Sequence, residues 1–389
     1  MGPFRMAAEH LRARIRFDRN EVSGAFGDIG TDFPLVVGMI LAAGLDPASV
    51  LIMFGAMQVL TGLLYGIPMP AQPLKAVAVI VITQKVSGNV LYGGGLAIGI
   101  AMLTLAASGL VDWVAKAIPK SVVRGMQFGL GLQLATLALT DYVRAEGAPG
   151  YILAAAAFVL VLLLLGNRRY PPAPLVIALG IAYAVMFRLN VGALGQGLGL
   201  SLPHLHTPTL RDMTTGFLVL ALPQIPLSIG NSILATRQIV ADLFPQRTVG
   251  VRKISLSYAL MNLINPFFSG VPTCHGSGGM AGHYAFGART GGSVVLYGAL
   301  YLCLGVFLGA GFGQVILLFP KPILGVILFF EGLALIHLVR DMASSRSDFT
   351  VVGLVGLLAA ALPYGYLVGM IVGTLVAYLM GKKLASDAR

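Results

Sequence analysis

Apolar runs broken by short polar or Gly/Pro-rich punctuation occupy nearly the whole chain. They fall at 24–45, 48–67, 73–86, 91–111, 118–139, 150–166 and 173–189, then, after a polar connection at 190–212 holding His204 and His206, at 213–236, 252–269, 275–287, 292–312, 316–337, 348–363 and 365–381. At 1.5 Å per residue most of these runs are long enough to cross a hydrocarbon core of about 30 Å. Two are not: 73–86 and 275–287 give helices of only roughly 20 Å. Both follow a proline, and the second lies in VPTCHGSGGMAGHYAFGARTG (271–291), a Gly-rich polar stretch in an otherwise greasy sequence. Irregular polar backbone at membrane depth has to be buried in protein or line a cavity. The pattern therefore predicts an all-α polytopic membrane protein with 14 transmembrane segments and half-helices at spans 3 and 10.

The two halves of the chain resemble each other. Pro119-Lys120, Phe128, Gly131-Leu132 and Leu134 recur 201 residues later as Pro320-Lys321, Phe329, Gly332-Leu333 and Leu335. Gly66-x-x-x-Pro70 recurs at an offset of 202 as Phe268-x-x-x-Pro272, and Gly27-Asp28 at 203 as Gly230-Asn231. Seven spans per repeat is an odd number, so the second repeat is expected to be inverted, the architecture of secondary transporters. The layout read from the sequence is a cytosolic N-terminal segment (1–23), a first seven-span repeat (24–190), a connecting loop (191–212), an inverted second repeat (213–381) and a short cytosolic tail (382–389).

Composition agrees with the pattern: 57% of the 389 residues are hydrophobic and 11% charged, with mean hydropathy +0.86. The net charge of +11 does not call for nucleic acid. With the N-terminus inside, Lys85, Arg144, Arg188, Arg211 and Lys321 fall outside and Lys75 within the membrane, leaving 20 of the 26 Lys+Arg on the cytoplasmic side. That is the positive-inside asymmetry. The expected location is a bacterial cytoplasmic (inner) membrane with both termini cytosolic. Before the first span, Arg5, Arg12, Arg14, Arg16 and Arg19 with Phe4, Leu11 and Ile15 make an amphipathic segment without a signal-peptide core. Cys274 and Cys303 support neither a disulfide framework nor a metal site, no cofactor is expected, and no P-loop, HExxH or GxSxG motif is present. The chain does not read as an enzyme.

The candidate chemistry sits at the half-helices. Pro68-Met69-Pro70-Ala71-Gln72-Pro73-Leu74-Lys75 predicts extended backbone leading into a helix. Across the repeat axis stands Pro272-Thr273-Cys274-His275-Gly276-Ser277-Gly278. Two converging helix N-termini carry roughly half a positive charge each, and with Lys75 they suit a dianion. Free N–H groups near Cys274 to Ser277, with Gln72, Thr273 and Ser277 as neutral donors, would meet its oxygens. The plainer alternatives are that Lys75 snorkels or pairs with a carboxylate, and that the glycines serve helix packing. In the first span Asp28 and Asp32 share a helix face; Asp28 is a candidate to hold Lys75 or carry a proton, and Asp32 likewise. The repeat mate of this segment, Gln224–Ser232, has amides and hydroxyls in place of the carboxylates, and Asn231 and Ser228 are expected to line the same cavity. Glu331 is a packing pair or a coupling carboxylate. His275 at the helix start could donate to an oxyanion, while His283 and Arg289 mark the far end of that helix. Arg124 reads as an interfacial anchor.

GDIGTDFPLVVG (27–38), IPMPAQPLKAVAV (67–79), IPKSVVRGMQFGLGL (118–132), LPQIPLSIGNSILAT (222–236) and VPTCHGSGGMAGHYAFGARTGG (271–292) resemble the MOT-type molybdate transporters. That group is a branch of the sulfate permease superfamily without its C-terminal STAS domain, and the short tail after Met380 agrees. The resemblance implies a fold like uracil permease, with a core domain moving against a gate domain and substrate between spans three and ten. It carries site roles onto Asp28, Thr31, Gln72, Lys75, Asn231, Cys274, His275, Gly276 and Ser277. The sequence departs from the group at Asp32, where an apolar or aromatic residue is usual, and near Ala285, where a basic one is common. The implied activity is secondary active transport of a tetrahedral oxyanion, molybdate first, with tungstate and sulfate as relatives and coupling through Asp28, Asp32 and Glu331. The rival cargoes are sulfate, bicarbonate or a dicarboxylate, and the rival mode is a passive anion channel. Sulfate permeases are often dimers, so a homodimer is the implied assembly.

Overall fold

A computed structural model describes residues 14–111, 113, 117–164, 172–187 and 199–387, with side chains except at 173, 308–318 and 381–387. Phe4, Leu11, Arg5 and Arg12 of the amphipathic segment, and Arg188, lie outside the described residues. Helices α1 (Arg19–Ala25) and α2 (Ile29–Ala43) follow one another across a bend of 41°. They are followed by α3 (Pro47–Tyr65), strand β1 (Ala71–Pro73), α4 (Lys75–Gln84), α5 (Gly88–Ser108), α6 (Lys120–Leu137), α7 (Gly147–Leu164) and α8 (Pro172–Phe187). The second half holds α9 (Leu210–Leu243), α10 (Val251–Ile264), strand β2 (Thr273–His275), α11 (Ser277–Ala285), α12 (Gly292–Leu318), α13 (Lys321–His337), α14 (Arg346–Ala361) and α15 (Gly365–Asp387).

The helices coincide with the apolar runs of the sequence, with differences at the edges. The first span starts at Arg19 rather than 24, because Asp18 caps it by accepting from the Asn20 and Glu21 N–H groups. Helix α12 runs through Leu318, past the break expected at 312–316, and α15 continues to Asp387 through the stretch expected to be a tail. Among the described residues six helices are long and apolar enough to cross a membrane, or seven with the bent pair counted once. Large apolar side chains such as Leu63, Ile152, Leu163, Phe349 and Leu375 face outward, as lipid contact demands. The all-α expectation needs one correction: β1 and β2 pair antiparallel, Ala71 with His275, Gln72 with Cys274 and Pro73 with Thr273. The prolines before each half-helix keep the backbone extended, and each strand supplies the other with the partners that a helix would have given internally.

Helix packing follows the repeat offset. Helix α3 packs along α12, and their counterparts about 200 residues on and back, α10 and α5, pack along each other. Helices α6 and α13, counterparts of one another, pack together, and a Cβ on Gly131 would strike the Gly332 carbonyl just as one on Gly332 would strike that of Gly131. Small residues at this crossing let two backbones touch. The antiparallel ladder centres on Gln72 and Cys274, which stand 202 apart. Two packed groups result: α1–α5 with α9–α12, and α6–α8 with α13–α15. Helix α4 is apolar on every side and its residues Ala76–Ile82 are buried, so it is enclosed by protein rather than by lipid.

Candidate functional site

The crossing of the two strands is fixed by two side-chain amides. Gln58 on α3 donates to the Ala71 carbonyl at 2.6 Å and accepts from the Ala71 N–H at 3.0 Å. Asn262 on α10 does the same for Thr273, at 2.6 and 3.0 Å. Each amide therefore takes the place of a neighbouring strand, satisfying backbone that would otherwise be orphaned in the interior. With the ladder held, α4 and α11 start from opposite ends of it.

A cavity of about 210 Å³ lies against both starts. One water needs only about 10–15 Å³ of such space, so a small tetrahedral anion fits with water around it. Its wall includes Gln72, Lys75, Asn231, Cys274, His275, Gly276 and Ser277. The first N–H groups of α4 and α11 have no helix carbonyl to bind. In α11 these are on Ser277, Gly278 and Gly279, slightly beyond the Cys274–Ser277 window read from the sequence, because Thr273–His275 are strand. In α4 the Val77 N–H is capped by Gln224 Oε1 at 3.1 Å. Gln224 in turn donates to Ser228 Oγ, which bonds the Tyr258 hydroxyl.

Lys75, the first residue of α4, reaches Glu331 Oε1 on α13 at 2.7 Å. Its partner is thus Glu331 and not Asp28. Asp28 ends the bend between α1 and α2, is buried, and accepts from Gln72 Nε2. Gly276 and Gly279 make this possible: a Cβ at 276 would collide with the Gln72 side chain and one at 279 with Asp28 Oδ2. Asp32, one turn on, is fully buried, and its nearest polar partner is the Asp28 carboxyl.

Three expected ligands do not reach the cavity. Thr273 is spent within the scaffold, its hydroxyl accepting from Asn265 Nδ2. Ser228 is held by Gln224 and Tyr258, and Thr31 lies on α2 away from the wall. His275 borders the cavity, but its imidazole Nε2 lies 2.7 Å from Ser257 Oγ and its ring packs edge-on against Tyr65. Alternation along the strand accounts for this: Thr273 and His275 point to one side and Cys274 to the other. His283 is in the last turn of α11, and Arg289 donates to the Tyr284 carbonyl at 2.8 Å while stacking on the Tyr284 ring, a cation on a helix C-terminus. Arg124 is not merely an interfacial anchor, since it binds Asp341 with two nitrogens and Gln127 with a third. The wall also holds Gln127, Gln224 and Ser232, which the sequence reading did not select. Their signal was an amide or hydroxyl inside an apolar helix. In α9 the Ser228–Leu234 stretch is π-helical just after Pro226, whose missing N–H loosens the helix there, and Asn231 and Ser232 lie in that widened turn.

Residues 20–134 and 216–335 match the family model described as molybdate transporter of MFS superfamily. The chain is 34% identical to molybdate transporter 2 of Arabidopsis thaliana, covering 87% of this chain and 83% of that protein. It is 32% identical to molybdate transporter 1 of the same plant (85% and 82%) and 26% identical to molybdate transporter 1 of Chlamydomonas reinhardtii (95% and 93%). In structure it resembles the transmembrane domain of the cyanobacterial bicarbonate transporter BicA, with a TM-score of 0.65 at 16% identity over 93% of this chain and 98% of that one. It also resembles the murine Slc26a9 anion transporter in the inward-facing state, with a TM-score of 0.71 at 14% identity over 98% and 72%. At such identities the likeness is one of fold.

Proposed function

This chain belongs to the molybdate transporter family, a family of membrane transporters and not enzymes, and we propose that it is a secondary active transporter of a tetrahedral oxyanion, molybdate first. One observation carries the reading: the N-termini of two half-helices and the Lys75 ammonium border a single cavity. Helix ends and a lysine present donors and positive potential without any chemistry to perform. In this reading the fourteen helical segments are seven plus seven inverted spans, supported by the exchange of packing partners and by the strand ladder centred on Gln72 and Cys274. The group α1–α5 with α9–α12 is the core that carries the anion, and α6–α8 with α13–α15 is the gate against which it moves. Both termini are cytosolic, on the side where Lys253 lies over the Tyr65 ring, opposite the end where Lys85 and Lys321 border one cavity.

Lys75 belongs to the core and Glu331 to the gate. An entering dianion competes for Lys75 and releases Glu331, whose charge must then be met by a proton or a cation. Importing each negative charge against 100 mV costs about 2.3 kcal/mol, so uptake needs such a partner, and Glu331, Asp28 and Asp32 are its carriers. Gln72, the Ser277–Gly279 amides and Asn231 complete the anion's shell.

The test is calorimetry of molybdate on the purified protein, with tungstate and sulfate as competitors and Lys75→Ala as the variant. Binding shared with tungstate and abolished in Lys75→Ala supports the site. Affinity retained in that variant removes Lys75 from it, and sulfate or bicarbonate binding in place of molybdate changes the cargo while keeping the fold. Flux that fails to saturate would indicate a channel instead.

A further inference from the structure

Gln127 lies on α6, in the second helix group, and is 1% exposed. It forms part of the wall of the cavity between the half-helices. Its Oε1 accepts from Arg124 Nη1 at 2.9 Å. Arg124 is fixed in turn by Asp341, with Nη2 to Oδ2 at 2.7 Å and Nε to Oδ1 at 3.0 Å, and Asp341 also receives Lys120 at 2.8 Å. A guanidinium has donors only, so the amide cannot turn round: its oxygen must face Arg124 and its nitrogen must face elsewhere. That nitrogen, Nε2, is buried and has no acceptor. Buried amide donors in folded proteins are nearly always satisfied, and the residue that carries this one belongs to the cavity wall.

We propose that Gln127 Nε2 is the gate-side hydrogen-bond donor to the transported oxyanion, and that Arg124 and Asp341 serve to hold that amide in the donating orientation. The inference rests on the anion site proposed above and adds a ligand from the other helix group. The anion is then gripped by the core through α4 and α11 and by the gate through Gln127. Arg124 itself lines a neighbouring cavity of about 300 Å³, which shares Asn231 with the first, so its influence on the anion passes through Gln127.

The experiment is calorimetric binding of molybdate to the full chain in detergent, comparing wild type, Gln127→Met, Gln127→Glu, Arg124→Met, the Gln127→Met/Arg124→Met double variant and Lys75→Ala, each with a melting curve. Methionine keeps the length of the side chain and removes the donor; glutamate keeps the bond with Arg124 and turns an acceptor toward the anion. Gln127→Met is expected to weaken binding about tenfold, equivalent to about 1.4 kcal/mol, and Gln127→Glu by more. Arg124→Met is expected to weaken binding in the wild-type background and to add nothing to affinity on top of Gln127→Met, although it still lowers the melting temperature. Such non-additivity separates an arginine acting through the amide from one that only braces the fold. If either Gln127 variant fails to fold, the other carries the test. Wild-type binding that is lost in Lys75→Ala yet within twofold of normal in both Gln127 variants overturns this inference and leaves the anion site standing. A wild-type protein that binds no oxyanion overturns both.

Discussion

Replacing Glu331 by glutamine separates a carboxylate that competes with the anion from one that braces the fold. At the observed 2.7 Å, opposite unit charges attract by about 1.5 kcal/mol in a medium of water's dielectric constant and by about 6 kcal/mol at an effective value of 20. The Glu331 side chain is 10% exposed and that of Lys75 38%. The ammonium therefore keeps contact with cavity water, and the lower figure is the better guide once desolvation and side-chain ordering are set against the attraction. A net value of about 1–2 kcal/mol follows. An anion that takes Lys75 must first break this pair, so Glu331→Gln should raise oxyanion affinity by that amount, roughly 5–30-fold. Uptake into proteoliposomes should fall in the same variant, because Glu331 no longer reclaims Lys75 and release from the tightened site slows. Calorimetry and uptake on one preparation read both directions. Unchanged or weaker binding in a folded Glu331→Gln protein would refute the competition.

Three further perturbations test the supports of the site. Gly279→Ala places a methyl against Asp28 Oδ2 and 2.8 Å from Gln72 Nε2, so uptake should collapse with a stability loss of about 1–3 kcal/mol, whereas Gly278→Ala, whose Cβ meets nothing within 4 Å, should melt no lower than wild type. Gln58→Leu and Asn262→Leu each strip two hydrogen bonds from buried strand backbone; both should lower the melting temperature in detergent, by similar amounts corresponding to about 1–3 kcal/mol per unmade bond, and a large inequality would contradict the equivalence of the two halves. Asp32→Asn replaces a fully buried carboxylate that lies beside the Asp28 carboxyl by an amide that can donate to it, so the melting temperature should rise while uptake is lost; a lower melting temperature would show that the carboxylate is needed for folding.

How much of this was legible in the sequence depended on range. Proline at 68, 70, 73 and 272 announced extended backbone before each short helix, because proline's effect on its own and the preceding residue is local, and the ladder lies there. For the same reason the start of α4 was legible to within two residues, at 73 where the helix begins at Lys75. The partner of Lys75 was not, since Glu331 comes from a helix 256 residues away and three carboxylates in apolar sequence were equally eligible. The amide clamps were missed because Gln58 and Asn262 look alike with any polar residue in a membrane helix until the strand they replace is seen. Which strand residues face the cavity was likewise hidden: in a strand of three residues a one-residue change of register exchanges Thr273 and His275 for Cys274, and no local signal sets that register.

On the proposed reading the scaffold is close to twofold while its charges are not, and that asymmetry is what selects a dianion. At the repeat offsets, Lys75 of the first half corresponds to Ser277 of the second, and Glu331 of the second half to Leu130 of the first. Two helix ends of roughly half a charge each together with Lys75 give, with Asp28 and Asp32 protonated, a site of about +2 when Glu331 is away and about +1 when it is paired. The first value matches molybdate or sulfate, the second a monoanion. Selectivity for divalent cargo is then tied to the release of a gate residue, so that the ion with the right charge is also the one that frees the gate. Glu331→Gln should accordingly strengthen molybdate binding more than bicarbonate binding, by the difference of one unit of anion charge acting on the same lysine.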